Sequence, residues 1–206
     1  MSEFKLEAVV CKSCGSGLSV EMNDNIVYCT SCGNGFEEIN GEMKNIEINF
    51  ANAAFRSEGE LIYKPFWLLN TTITILERKA TGSFLKNLFG GSGEFTGGDI
   101  LFYIPAFYCN IESMEELSKQ FTIKNPVASP QKYNSKLTGF AYGKEDAKKL
   151  AEFILISLEA EKSDVIKNFR YEMKVNSYSI LGIPFYDNKS GMLKDAVLGI
   201  DILEDI

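Results

Sequence analysis

Cysteine is the residue type in this chain best suited to chemistry, and four of the five cysteines fall into a pattern. Cys11-Lys12-Ser13-Cys14-Gly15 and Cys29-Thr30-Ser31-Cys32-Gly33 are two C-x-x-C-G turns separated by fourteen residues. Two tight turns of this kind can gather four thiols around one tetrahedral ion, each glycine giving the backbone the freedom the turn needs. When all four positions are protein ligands, none remains open to a substrate. The expected cofactor is therefore one structural zinc per chain, held by Cys11, Cys14, Cys29 and Cys32. Cys109 follows Phe107-Tyr108 in an apolar stretch with no cation beside it, and is expected to be a buried, inert thiol.

Other chemistries find little support. The chain has no histidine, which removes the commonest general base, the usual catalytic triads and any mixed Cys/His metal site. It holds no nucleophile elbow, P-loop or dinucleotide fingerprint. Gly90-Gly91-Ser92-Gly93 is followed by neither Gly-Lys-Ser/Thr nor a helix start. Catalytic carboxylates cannot be singled out from 28 acidic residues without geometry.

The elements that must position the cysteines are short. Phe4, Leu6, Ala8 and Val10 alternate with Glu3, Lys5, Glu7 and Val9 as a strand entering the first turn. Met22-Asn23-Asp24-Asn25 is a turn, and Ile26-Val27-Tyr28 returns as a strand into the second. Strand, knuckle, hairpin, knuckle resembles the zinc-ribbon and rubredoxin-like group over about the first 40 residues. The resemblance implies a small unit that folds with its metal. Iron could occupy the same thiolates, but the gap is much shorter than in rubredoxins and the second knuckle lacks their usual proline, so zinc is preferred. A thioredoxin-type redox role is disfavoured, because neither C-x-x-C sits between a strand and a long helix.

The expected fold class is α+β: a zinc ribbon over residues 1–40, then a mainly antiparallel β domain over 41–206 with one long and one short helix. Residues 67–76 read as a strand, Met114–Phe121 as a short helix opened by a Ser113-Met114-Glu115-Glu116 capping box, and Lys144–Glu161 as a long amphipathic helix. Phe153 and Ile156 widen its apolar arc, so a covered helix is expected. Phe169 to Val175 alternate as a half-exposed strand. Three segments share an apolar-x-x-Pro-x-aromatic core around Pro65, Pro105 and Pro184. Each is expected at a sheet edge, bulge or strand end, either as a repeated β element that builds a pseudo-symmetric sheet or presents an aromatic binding surface, or as one of three unrelated strand ends in an aromatic-rich β protein.

Residues 81–98 form a glycine-rich loop that nonetheless carries Phe84, Leu85, Leu88 and Phe89, the candidate partner-binding residues. Their expected occupant is a protein partner or larger assembly, with peripheral membrane contact through 82–97 as the alternative. No apolar run is long enough for an integral membrane span, and reduced paired thiols suit a cytoplasmic location. The formal charge of −7 becomes −9 with four thiolates on one Zn²⁺. Lys5 and Lys12 face six acidic residues within 1–40, which argues against nucleic acid as a partner of the ribbon. The basic segment 119–149 is read as a solvated face balancing an acidic molecule.

Three function classes follow. The preferred one is a non-enzymatic adaptor or assembly component with a structural zinc site. The alternatives are a nucleic-acid-associated zinc-ribbon factor and an enzyme of unrecognised type.

Overall fold

The computed structural model describes residues 9–18, 20, 26–39, 41–79, 97–126, 137, 139–160 and 167–203. It is a mixed α+β architecture. Three short strands, β1 (Ile26–Tyr28), β2 (Gly35–Ile39) and β3 (Glu42–Ile46), form an antiparallel sheet in that order beside the cysteines. Gly41 takes a φ of 81° between β2 and β3, and its N–H donates to Glu38 Oε1 at 2.9 Å. A side chain is strained in that left-handed conformation, so the turn suits glycine.

The second sheet has six strands: β4 (Ile48–Phe50), β5 (Glu60–Lys79), β6 (Gly97–Pro105), β7 (Lys167–Asp187), β8 (Met192–Asp195) and β9 (Asp201–Leu203). Its order is β6-β5-β7-β8-β9, all antiparallel, while β4 runs parallel to β7 over Ile48↔Ile180 to Phe50↔Gly182. Period-two alternation splits the buried side chains between two faces. Trp67, Leu69, Ile73, Phe102, Ile104 and Ile180 belong to one cluster; Phe66, Leu68, Tyr103, Leu181, Ile183 and Phe185 belong to the other. Helix α1 (Ile111–Lys124) adds Met114, Leu117 and Phe121 to the second cluster. Helix α2 (Lys144–Ala160) adds Ala147, Ala151, Ile154, Leu155 and Leu158 to the first.

Several sequence expectations are corrected here. The helix expected at Met114 begins at Ile111, because the Asn110 side chain caps it by accepting from Ser113 N–H at 2.8 Å. Within the helix, Glu115 accepts from Ser157 Oγ and Lys119 Nζ, tying α1 to α2. Phe153 and Ile156 are exposed, so α2 buries a narrower arc than its composition suggests. The strand read at 67–76 is the middle of a 20-residue β5, and the half-exposed strand and the Pro184 segment are one 21-residue β7. A bulge makes that continuity compatible with the hydrophobic pattern. Asn70 pairs with Ser177 and Thr71 with Val175, so Asn176 is extra and side-chain parity flips; Val175 and Tyr178 then reach the same cluster. Gly97 and Gly98, read as loop, open β6; the rest of the glycine-rich loop lies outside the described residues.

The proline segments meet side by side. Pro105 ends β6 as expected. Pro65 and Pro184, however, lie inside long strands where a neighbour ends: β6 pairing stops at Phe66↔Pro105, and β7 passes from β4 at Gly182 to β8 at Phe185. The missing N–H of proline is tolerated at such junctions. The motif's own aromatics, Trp67, Phe107 and Tyr186, do not form one cluster, since Trp67 lies in the first and Phe107 in the second. All three are buried, so they form core and not a binding surface.

The small sheet is packed on the large one. Ile26 and Tyr28 belong to the cluster of Phe50, Tyr63 and Trp67, with Tyr28–Phe50 and Phe50–Tyr63 rings edge to face at 5.1 and 5.3 Å. Phe50 lies so close to β7 that a Cβ on Gly182 would stand 2.6 Å from its ring. No helix among the described residues is long and apolar enough to cross a membrane.

Candidate metal centre

Each cysteine turn is a hairpin tip built to the same plan. In the first, Cys11 N–H donates to Ser16 O at 2.8 Å and Gly15 N–H to Cys11 O at 2.8 Å. The hairpin closes with a Val10–Gly17 bridge and Leu18 N–H donating to Val9 O at 2.9 Å. In the second, Cys29 N–H donates to Asn34 O at 2.9 Å and Gly33 N–H to Cys29 O at 2.7 Å, while Tyr28↔Gly35 pairing joins β1 to β2. Gly15 and Gly33 take φ of 75° and 76°. The motif glycines are there for that left-handed step, and for Gly15 space plays no part, since a Cβ would meet nothing within 4 Å.

Facing each other, the two tips bring the four sulfurs within 4.8 Å of one another. Cys11 Sγ lies 3.6 Å from Cys32 Sγ, and Cys14 Sγ 3.6 Å from Cys29 Sγ, each contact crossing from one tip to the other. These are not disulfide lengths, which are about 2.05 Å. Four sulfurs about 2.3 Å from a tetrahedral zinc would stand about 3.8 Å apart, so the donor set fits a single ion of that kind. Cys11 and Cys29 are buried, Cys32 half-buried and Cys14 exposed, with Phe36, Leu18 and Met43 packed around them.

Electrostatics divide the four thiols. Hydrogen bonding to the Ser16 side chain, then to its backbone N–H, draws the Cys14 thiol down to about 6. At Cys32 the Asn34 backbone pulls downward, but burial and the three neighbouring sulfurs outweigh it and push the thiol up to about 12. Negative charge can therefore accumulate on this cluster only so far without a cation, and a bound cation displaces the remaining protons.

Glu37 of β2 connects the centre to the larger sheet. Its carboxylate pairs with Lys144 Nζ, the first residue of α2, at a half-buried position. Lys144 Nζ also lies 5.9 Å from the Trp67 ring and 5.7 Å from the Tyr178 ring. Trp67, fully buried, donates from Nε1 to Tyr142 O at 2.7 Å. Sequence reasoning missed this connection. The available signal was a lysine at a helix N-terminus, where the helix dipole favours acidic residues; another contact has to hold it there.

The remaining candidates are scattered. Phe84, Leu85, Leu88 and Phe89 lie outside the described residues, as do Lys132, Lys136 and the Phe4–Ala8 stretch. Within the basic segment, Lys119 pairs with Glu115, Lys144 with Glu37 and Lys149 with Asp146, so these three charges are matched locally. Cys109 is buried in the second cluster, away from the other four. Comparison of the chain with protein-family models, with curated proteins and with solved structures finds no match.

Proposed function

We propose that the chain is a non-enzymatic adaptor or assembly component whose Cys11, Cys14, Cys29 and Cys32 hold one structural zinc ion, making residues 1–40 a zinc ribbon. The observation that carries this reading is the meeting of four sulfurs within 4.8 Å from two hairpin tips of identical plan. Zinc supplies a cross-link and charge neutralisation there, with no ligand position left for a substrate. The chain's own residues do the rest. The positive-φ glycines aim the sulfurs, Phe36 shields them, and Tyr28 with the Glu37–Lys144 pair seats the unit on the aromatic body. Such an arrangement makes a rigid platform for a protein partner, in a reducing compartment such as the cytoplasm. The partner is expected to contact Phe84, Leu85, Leu88 and Phe89.

Metal analysis of the purified chain tests the first half of the proposal. One zinc per chain is expected, lost on Cys14→Ser or Cys29→Ser; iron in stoichiometric amount, or full zinc in both variants, would refute it. Affinity capture from the native cell tests the second half. Deletion of residues 82–97 should release the captured partner, and unchanged capture would remove the loop from the interface.

A further inference from the structure

We propose a second site, remote from the sulfur cluster in sequence and chemistry: a cavity at the C-terminal end of α1 that binds the ammonium group of a short aliphatic amine. The cavity has a volume of about 330 Å³ and is lined by Asn70, Asp99, Leu101, Thr122, Ile123 and Asn125 among its residues. That is within the lower range of small-ligand pockets, about 300–1,000 Å³.

Its one charged lining residue is held in place from two other strands. Asn176 Nδ2 donates to Thr72 Oγ1 at 2.9 Å, and Thr72 Oγ1 donates to Asp99 Oδ1 at 2.7 Å, a relay running from β7 through β5 to β6. Asn176 is the extra residue of the β7 bulge, so the irregularity in the sheet is what supplies the first donor. Bulges often re-aim side chains in this way beside binding sites. Among the described residues no lysine or arginine pairs with Asp99, and no basic residue lines the cavity. Lys124 is close in sequence, but it is exposed on the last turn of α1 and outside the lining.

The rest of the wall suits the same ligand. The C-terminal end of a helix carries partial negative charge from carbonyls without intrahelical partners, and Thr122, Ile123 and Asn125 bring that end to the cavity. Asn125 is fixed in the left-handed region (φ 46°), and its Oδ1 accepts from Tyr103 OH at 2.8 Å. Leu101 and Ile123 offer apolar surface for methylene groups. An orientated carboxylate, a helix C-terminus and an apolar floor together select a cation with a short hydrocarbon body over an anion or a neutral polar molecule.

A free diamine and a lysine side chain of a partner protein share this chemistry. The zinc-loaded full chain, ¹⁵N-labelled, is titrated separately with putrescine and with lysine blocked at its α-amino and carboxyl groups, using acetate and glycerol as controls. Saturable shifts are expected at the amides of Asn70, Asp99, Leu101, Thr122, Ile123 and Asn125, with the Cys11–Gly15 and Cys29–Gly33 amides unmoved. Preference for putrescine assigns the site to a free amine, and preference for blocked lysine to a partner's side chain. Asp99 is exposed, so Asp99→Asn should weaken binding about two- to fivefold, the loss expected for one ion pair at an exposed carboxylate. Leu101→Phe, which fills the cavity and keeps the charge, should weaken it as well. Shifts that never saturate, shifts spread over the acidic surface, or equal affinity in Asp99→Asn would overturn the assignment. Failure to bind zinc would leave these outcomes readable, because none of the four clustered cysteines lines the cavity.

Discussion

Removing the metal should weaken the whole protein, not only its N-terminal unit. Ile26 and Tyr28 leave β1 to enter the core shared by Phe50, Tyr63 and Trp67, where they are 3% and 6% exposed. If the knuckles fray when the ion is removed, β1 loses the tip that joins it to β2, and these two side chains lose their fixed place. Burying a large apolar side chain contributes about 1.5–3 kcal/mol, so two of them account for roughly 3–6 kcal/mol. Against a total stability of about 5–15 kcal/mol this is a large share, and the chain should stay folded but more weakly. For a chain of this length each kcal/mol moves the melting temperature about 2–4 °C, so a drop of roughly 10 °C is expected. The assay is calorimetry of the zinc-loaded chain before and after a strong chelator, with the fluorescence of Trp67, the single tryptophan, followed in parallel. A melting temperature unchanged within about 2 °C, in a sample shown to have lost its metal, would refute the coupling. It would mean that the ribbon and the larger sheet are energetically separate.

The remaining predictions use smaller perturbations. Gly182→Ala drives a methyl group into the buried Phe50 ring and should cost about 1–3 kcal/mol in denaturant unfolding; a neutral result would mean β4 yields easily. A double-mutant cycle on Glu37→Gln and Lys144→Met should show a coupling of about 1 kcal/mol, with additive effects refuting a direct link. In the chelator-treated chain at pH 7, Cys14, the exposed member of the set, should be the first thiol alkylated. Mass spectrometry of timed samples would show whether Cys109, buried in the second cluster, instead reacts first.

The cysteine centre was legible because its signal is local. Spacing and glycine placement specify each tip, and only the facing of the two tips is tertiary. Helix α2 was legible for the same reason, since Ala147, Ala151, Ile154 and Leu158 mark one face and Glu145 and Asp146 its first turn. The start of α1 was misread because two polar residues three positions apart, Asn110 and Ser113, can both cap, and only the folded chain shows which one does. The length of β7 was hidden by its own bulge, as an extra residue at Asn176 breaks the alternation on which strand reading depends. No pattern in the sequence could join Glu37 to Lys144, which are 107 positions apart. The Asn176–Thr72–Asp99 relay is equally invisible before the strands are in register.

The long ladder between β5 and β7 also sets an order of assembly. Its outermost pair, Glu60 and Asp187, is 127 positions apart, and β4 waits for the same strand at residues 180–182. Hairpins such as those of the two cysteine tips close within microseconds, whereas pairings this distant must first meet the entropy of closing a very large loop. During synthesis the metal-binding tips can form as soon as they leave the ribosome, and β5 can pair with β6 once Pro105 has been added, but its other edge must wait for β7, which runs to Asp187. Newly made chains are therefore most vulnerable to aggregation through the segment that later becomes the centre of the sheet.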